Sequence, residues 1–112
     1  MKIEFIAKVA HEMNKVYCES IGDFSQPSWD DAPQWQRESA IAGVEYLIND
    51  SDAQPEDSHN SWLAHKHKDG WVYGPVKDPE KKEHPCMVPY DRLPEQQRYK
   101  DKFFHTVVQL LK

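Results

Sequence analysis

Long apolar runs are missing from this chain of 112 residues, so nothing in it reads as a membrane-spanning helix. Positive charge is also short: 14 Lys and Arg stand against 19 Asp and Glu, a net charge of −5. A nucleic-acid partner needs a clustered basic face and a membrane surface needs a polybasic patch, and this balance offers neither. Glycine occurs four times, never as a phosphate-cradling loop or Walker pattern. Cysteine occurs twice, as Cys18 and Cys86, with no Cys-x-x-Cys pair. At the start, Met1-Lys2-Ile3-Glu4-Phe5 puts an acid where a signal peptide needs an unbroken apolar core. These absences lead us to expect a cytoplasmic protein whose two cysteines are reduced, small buried side chains.

What is present suffices for one domain, residues 1–112, with a core that needs no covalent staple. Ile6, Val9, Ala10, Met13, Val16 and Tyr17 recur at helical spacing and predict a helix from Ile3 to about Cys18, with Gly22 as a stop. The segment to Trp29 holds Pro27 and reads as a loop. A second helix is predicted to begin near Pro33, since proline suits the first turn and Asp30 and Asp31 favour the positive helix end. Ile41, Val44, Leu47 and Ile48 form its stripe, and Asn49-Asp50-Ser51-Asp52 ends it. A third, sparser helix spans about Glu56 to His67. The last starts near Pro94-Glu95, with Tyr99, Phe103, Val107 and Leu110 as its apolar stripe.

Two helix entries share one pattern. Trp29-Asp30-x-Ala32-Pro33-x-x-Gln36-Arg37 matches Tyr90-Asp91-x-Leu93-Pro94-x-x-Gln97-Arg98. Either two similar capping solutions arose, or the second and fourth helices are equivalent by a pseudo-twofold.

The densest stretch is Trp62 to Tyr90. Trp71 and Tyr73 flank Val72 and would share one strand face, bracketed by Gly70 and Gly74. Met87-Val88-Pro89-Tyr90 reads as a second strand, held to an edge because Pro85 and Pro89 cannot donate. A two-stranded hairpin is marginal in water, so it must lay one face on the helices, with Trp71 and Tyr73 as anchors.

Gly70-Trp71-x-Tyr73-Gly74, then Lys77-Asp78, then Lys82-x-His84-Pro85-x-x-Val88-Pro89-Tyr90, resembles the RyR domain, the repeat of ryanodine receptor channels that also occurs in stand-alone prokaryotic and phage proteins. His59-Asn60-x-Trp62 looks like that family's helix entry, and the match is strongest from His59 to about Leu111. The resemblance implies an assembly module, and some prokaryotic relatives are thought to sense nucleotide-derived signals.

Each chemical possibility has a plainer rival. His65-x-His67 and His84-Pro85-Cys86 do not give four converging zinc ligands at known spacings, so no metal is expected. His84 and Cys86 could share a strand face, but nothing upstream suggests an oxyanion hole. No catalytic residue and no cofactor are expected. The aromatic–basic constellation is better: Lys66, Lys68, Lys77, Lys81 and Lys82 surround the hairpin in an acidic chain, although Asp69, Asp78, Glu80 and Glu83 interleave with them. Ammonium groups beside indole rings suit a nucleotide-like or other anionic small molecule. The expected ligand-binding residues are Lys77, Lys82, His84, Tyr90, Trp71 and Tyr73.

The sequence therefore predicts a mainly α (α+β) fold, a compact cluster of about four helices with one short antiparallel β-hairpin. It predicts a non-enzymatic module that binds an anionic small molecule or, alternatively, a protein partner through its aromatics. Purified protein should carry no stoichiometric zinc by elemental analysis; one equivalent, lost together with structure on chelation, would overturn that reading.

Overall fold

The computed structural model describes residues 2–50 and 52–112. Met1 and Ser51 lie outside the described residues, and with them one end of the N-terminal motif and one of the four residues expected to close the second helix. The order is α1 (Lys2–Ser20), a 3-10 turn (Trp29–Asp31), α2 (Gln34–Asn49), α3 (Pro55–Lys68), β1 (Val72–Tyr73), β2 (Glu83–His84), a second 3-10 turn (Tyr90–Arg92) and α4 (Glu95–Leu111).

Each boundary has a local cause. α1 ends where Gly22 takes a φ of +88°, a value that costs glycine little. Pro55 opens α3, and a reciprocal capping box between Gln54 and Asp57 satisfies its first amides. Ile6, Ala7, Trp29, Val44, Leu47, Ala53 and Val108 form the core, and Ile41 and Ile48 pack against it as their spacing in α2 predicts.

In α1 and α4 the buried rows differ from the predicted stripes. α1 buries Ile6, Ala7, Ala10, His11 and Cys18, while Met13 and Val16 stay exposed. α4 turns Val108 inward with Phe104 and Leu111 beside it, and leaves Tyr99, Phe103 and Leu110 outward. Both helices carry more apolar residues than one core face holds, so period alone does not select the row.

The repeated motif produces the same backbone twice. Ala32 and Leu93 have φ/ψ of −69°/142° and −69°/141°; Pro33 and Pro94 follow at −63°/153° and −56°/151°. Ala32 N–H donates to Trp29 O and Leu93 N–H to Tyr90 O, at 3.2 and 3.1 Å. The preceding helices match as well. His11 Nε2–H of α1 donates to Pro27 O at 2.7 Å, and His59 Nε2–H of α3 donates to Val88 O at 2.7 Å. Each imidazole also lies against the aromatic two residues beyond its acceptor, His11 on Trp29 and His59 on Tyr90. The chain is thus two similar helix–turn–helix halves, and α1 packs on α4 as α3 packs on α2.

The strand pair corrects the sequence reading in three ways. It is parallel, with Val72 opposite Glu83 and Tyr73 opposite His84. The chain reverses twice between the strands: first between Tyr73 and Asp78, then in the turn over 79–82, where Lys82 takes φ 54° and Asp78 bridges Glu83 in the antiparallel sense. The second reversal restores the original direction, which a single hairpin turn could not do. The second strand also precedes Pro85 rather than following it, and Met87 to Pro89 is irregular. Finally, Trp71 and Tyr73 do not share a face: Trp71 is 5% exposed and Tyr73 58%. Gly70, at φ +89°, turns the chain so that Trp71 N–H caps α3 on Lys66 O at 2.9 Å. Trp71 therefore lies before the extended pair, and the alternation argument does not reach it. Gly74 lets the strands approach, since a Cβ there would lie 2.5 Å from that of Glu83.

Trp71→Ala should lower stability by ~3–5 kcal/mol, and Tyr73→Ala should change it by no more than ~0.5 kcal/mol. Denaturant midpoints of the two variants check this; equal shifts would return Tyr73 to the core.

Candidate functional site

Between the four helices and the strand segment lies a cavity of about 320 Å³. Matching positions of the two halves face it together: His11 with His59, Asn14 with Trp62, Gln36 with Gln97, Gly43 with Phe104. The repeated entry motif places these side chains, because it starts α2 and α4 at the same angle to their partners. The halves differ in what they supply. The second half and the strand segment bring the bulk and charge: Trp62, Lys66, Trp71, Lys77, His84, Lys100 and Asp101. The first half adds Trp35.

Lys66 is the unusual member. It is 4% exposed, and its ammonium lies 4.5 Å from the ring centre of Trp35 and 4.8 Å from that of Trp71. Cation–π attraction replaces a carboxylate partner here. Burial first, and the charge of Lys77 second, lower its pKa below the usual ammonium value, with Asp69 opposing. Lys77 keeps much of its surface open to solvent, yet the protein around it and the charge of Lys100 lower its pKa too.

His84 sits edge-on to Trp62 at 5.1 Å and tilted to Trp71 at 6.2 Å. Its Nδ1 accepts the Cys86 amide at 3.0 Å, which leaves the ring proton on Nε2. Burial, reinforced by Lys77, Lys66 and Lys100, lowers its pKa to about 4. Asp101 is the acid among these cations, and burial raises its pKa to about 7 although Lys100 pulls it down. Its Oδ2 lies 3.8 Å from His59 Nδ1, too far for a strong hydrogen bond. Ser58, another wall residue, has a buried hydroxyl with no hydrogen-bond partner among the described residues.

Of the residues the sequence nominated, Trp71, Lys77 and His84 meet at this cavity. Lys82 does not: its ammonium donates to Asp69 O at 2.7 Å and borders a second recess, of about 260 Å³, that shares Trp35, Lys66 and Trp71. Tyr90 is half-buried against His59, away from the cavity wall, and Tyr73 faces solvent. Trp35, Lys100 and Asp101 were not nominated. A signal for the last two existed, since they follow Gln97 of the repeated motif by three and four residues and so share its helix face. The Cys86 thiol lies 3.4 Å from Gln97 Oε1, and burial pushes its pKa up, the reverse of an activated thiolate. Among the described residues no three His, Cys, Asp or Glu side chains converge as metal ligands.

The two shifted groups set opposite pH dependences. His84, lowered from 6.5 to about 4, contributes stability that is full above pH 6.5 and lost as pH falls towards 4. Asp101, raised from 3.8 to about 7, favours folding below pH 3.8 and loses that advantage as pH rises through 7. Asp101→Asn should therefore gain stability relative to wild type between pH 4 and pH 7, with no further gain above about pH 8. Denaturant midpoints across that range check it; a difference independent of pH would mean that Asp101 is ionised throughout.

The family model for the RyR domain matches residues 43–112, more than half of the chain. That span covers the end of α2, all of α3, both strands and α4, and so most of the cavity's charged wall. The chain belongs to the RyR domain family.

Proposed function

We propose that this protein is a non-enzymatic binding module that holds an anionic small molecule, of nucleotide-like size and chemistry, in the cavity between its two halves. One observation carries the reading: Lys66 is withdrawn from water with no hydrogen bond or ion pair to a carboxylate among the described residues, and Lys77 and Lys100 face the same space with Asp101 as the acid among them. Ammonium groups that outnumber the acids at a low-dielectric site favour an incoming anion. The neighbouring indoles of Trp35, Trp62 and Trp71 offer flat apolar surface for a base or another ring. The volume falls at the lower end of small-molecule sites. Raised thiol pKa values at Cys18 and Cys86 leave neither cysteine an activated nucleophile, which supports binding over cysteine-based catalysis. No described helix is long and apolar enough to cross a membrane, and both cysteines are free. A cytoplasmic setting agrees with both.

A second reading, docking to a protein partner, is favoured by a different observation. α1 exposes Phe5, Met13 and Val16, and the neighbouring α4 exposes Tyr99, Phe103 and Leu110. Tyr17 of α1 packs edge-on against Phe103 of α4 at 4.9 Å. Large exposed apolar patches commonly mark such surfaces.

Thermal shift separates the two. Adenosine diphosphate or pyrophosphate alone should raise the melting temperature by mass action. Calorimetry with the stabilising anion should then show ~10-fold weaker binding for Lys77→Ala, about 1.4 kcal/mol. Lys82→Ala, outside the cavity, should bind as wild type does. No stabilisation by any anion, with self-association or partner capture abolished by Phe103→Asp, would favour the docking reading instead.

A further inference from the structure

Lys66 stands between two openings. The main cavity and the recess beside Lys82 both include it in their walls, together with Trp35 and Trp71. It is 96% withdrawn from solvent by its 4% exposure, and no hydrogen bond or ion pair engages its ammonium among the described residues. Its backbone is fixed as well as its side chain, since Lys66 O accepts the Trp71 amide at the end of α3. Amines become nucleophilic in apolar pockets and beside other cations, because both conditions favour the neutral form. Both hold here: two indole walls, and Lys77 on the same cavity. The indoles themselves favour the ammonium form. Burial and the charge of Lys77 lower the Lys66 pKa, Asp69 opposes them, and the direction of these three together is downward.

We infer that Lys66 is a carbonyl-reactive amine, which captures an aldehyde or ketone group of an anionic ligand as a reversible imine. The inference rests on the reading that this cavity admits an anionic small molecule. The neutral amine adds to the carbonyl carbon, forming a C–N bond and a carbinolamine. Loss of water then breaks the C–O bond, and both amine protons leave in that water. No electron is transferred and no cofactor takes part. Lys77 and Lys100 hold the anionic group of the ligand while the carbonyl meets Lys66, and hydrolysis reverses the capture.

Pyridoxal 5′-phosphate combines an aromatic ring, an anion and an aldehyde, and so probes all three features. The full chain would be incubated with it, reduced with borohydride, which delivers hydride to the imine carbon, then digested and mapped by mass spectrometry. Lys66 should be labelled at least ~10-fold faster than Lys68 and Lys81, both exposed and controls for ordinary lysine reactivity. Lys66→Arg keeps the charge, forms no imine and should lose the fast label. In parallel, calorimetry would follow pyridoxine 5′-phosphate, which carries the ring and the anion but no carbonyl. Its binding, with Lys66 labelled no faster than the exposed lysines, would overturn the inference and leave the cavity reading standing. Neither binding nor selective labelling would overturn both. The rate ratio within the wild-type protein decides the matter even if Lys66→Arg does not fold.

Discussion

A lysine side chain removed from water with no carboxylate in ion-pair contact among the described residues is a standing constraint, and the architecture around Lys66 answers it with ring faces. Trp35 arrives from α2 and Trp71 from the turn after α3, so two separate segments must close on one charge. The turn is what permits this. Gly70 takes a conformation other residues resist, and Trp71 folds back beneath the last turn of α3 rather than continuing outward. From there the chain reverses twice, carrying Lys77 on the segment between the strands, and places His84 against the same ring. The strand pair, two residues a side, is too short to organise anything; it records how the segment is held rather than what holds it.

The second organising fact is duplication. Each half uses a histidine on its first helix to tie down the connection to its second, through a backbone carbonyl two residues before an aromatic. An imidazole N–H donated to a carbonyl satisfies an acceptor of a partly buried loop. The halves then diverge where they face one another. Asn14 stands opposite Trp62 in the scheme, and Gly43 opposite Phe104, whose ring would meet a Cβ on that glycine at 3.0 Å. A similar frame thus encloses a space whose two sides are chemically different, as recognition of an unsymmetrical ligand requires.

Much of the fold was legible in the sequence, because helix boundaries are written in local chemistry. Pro33, Pro55 and Pro94 mark starts, and Gly22 marks a stop. The matching Trp29 and Tyr90 motifs, alike at six positions in a span of nine, offered the duplication as one of two readings. What escaped was long-range or two-valued. α1 and α4 each offer two apolar rows, and only contact with neighbours selects one. The direction of β2 depends on counting reversals within a loop whose turn is made by Lys82, a residue type that does not advertise φ 54°. For the site, Trp71, Lys77 and His84 were visible because they cluster in sequence. Trp35 and Lys100 come from elements distant in sequence; the spacing of Lys100 from Gln97 gave its helix face, and the convergence of both on the strand segment comes from packing.

One consequence follows from how α1 and α4 lie together. Tyr17, near the end of α1, donates to Gln96 O at the start of α4, so the two helices run in opposite directions. Ile3 and Leu111 accordingly pack on the same core cluster. A chain that was joined across that gap and reopened between α2 and α3 would make every helix contact described above. Its order would be α3, α4, α1, α2: the same sequence of structural events, begun half a cycle later. The molecule is in that sense a ring of two repeating steps.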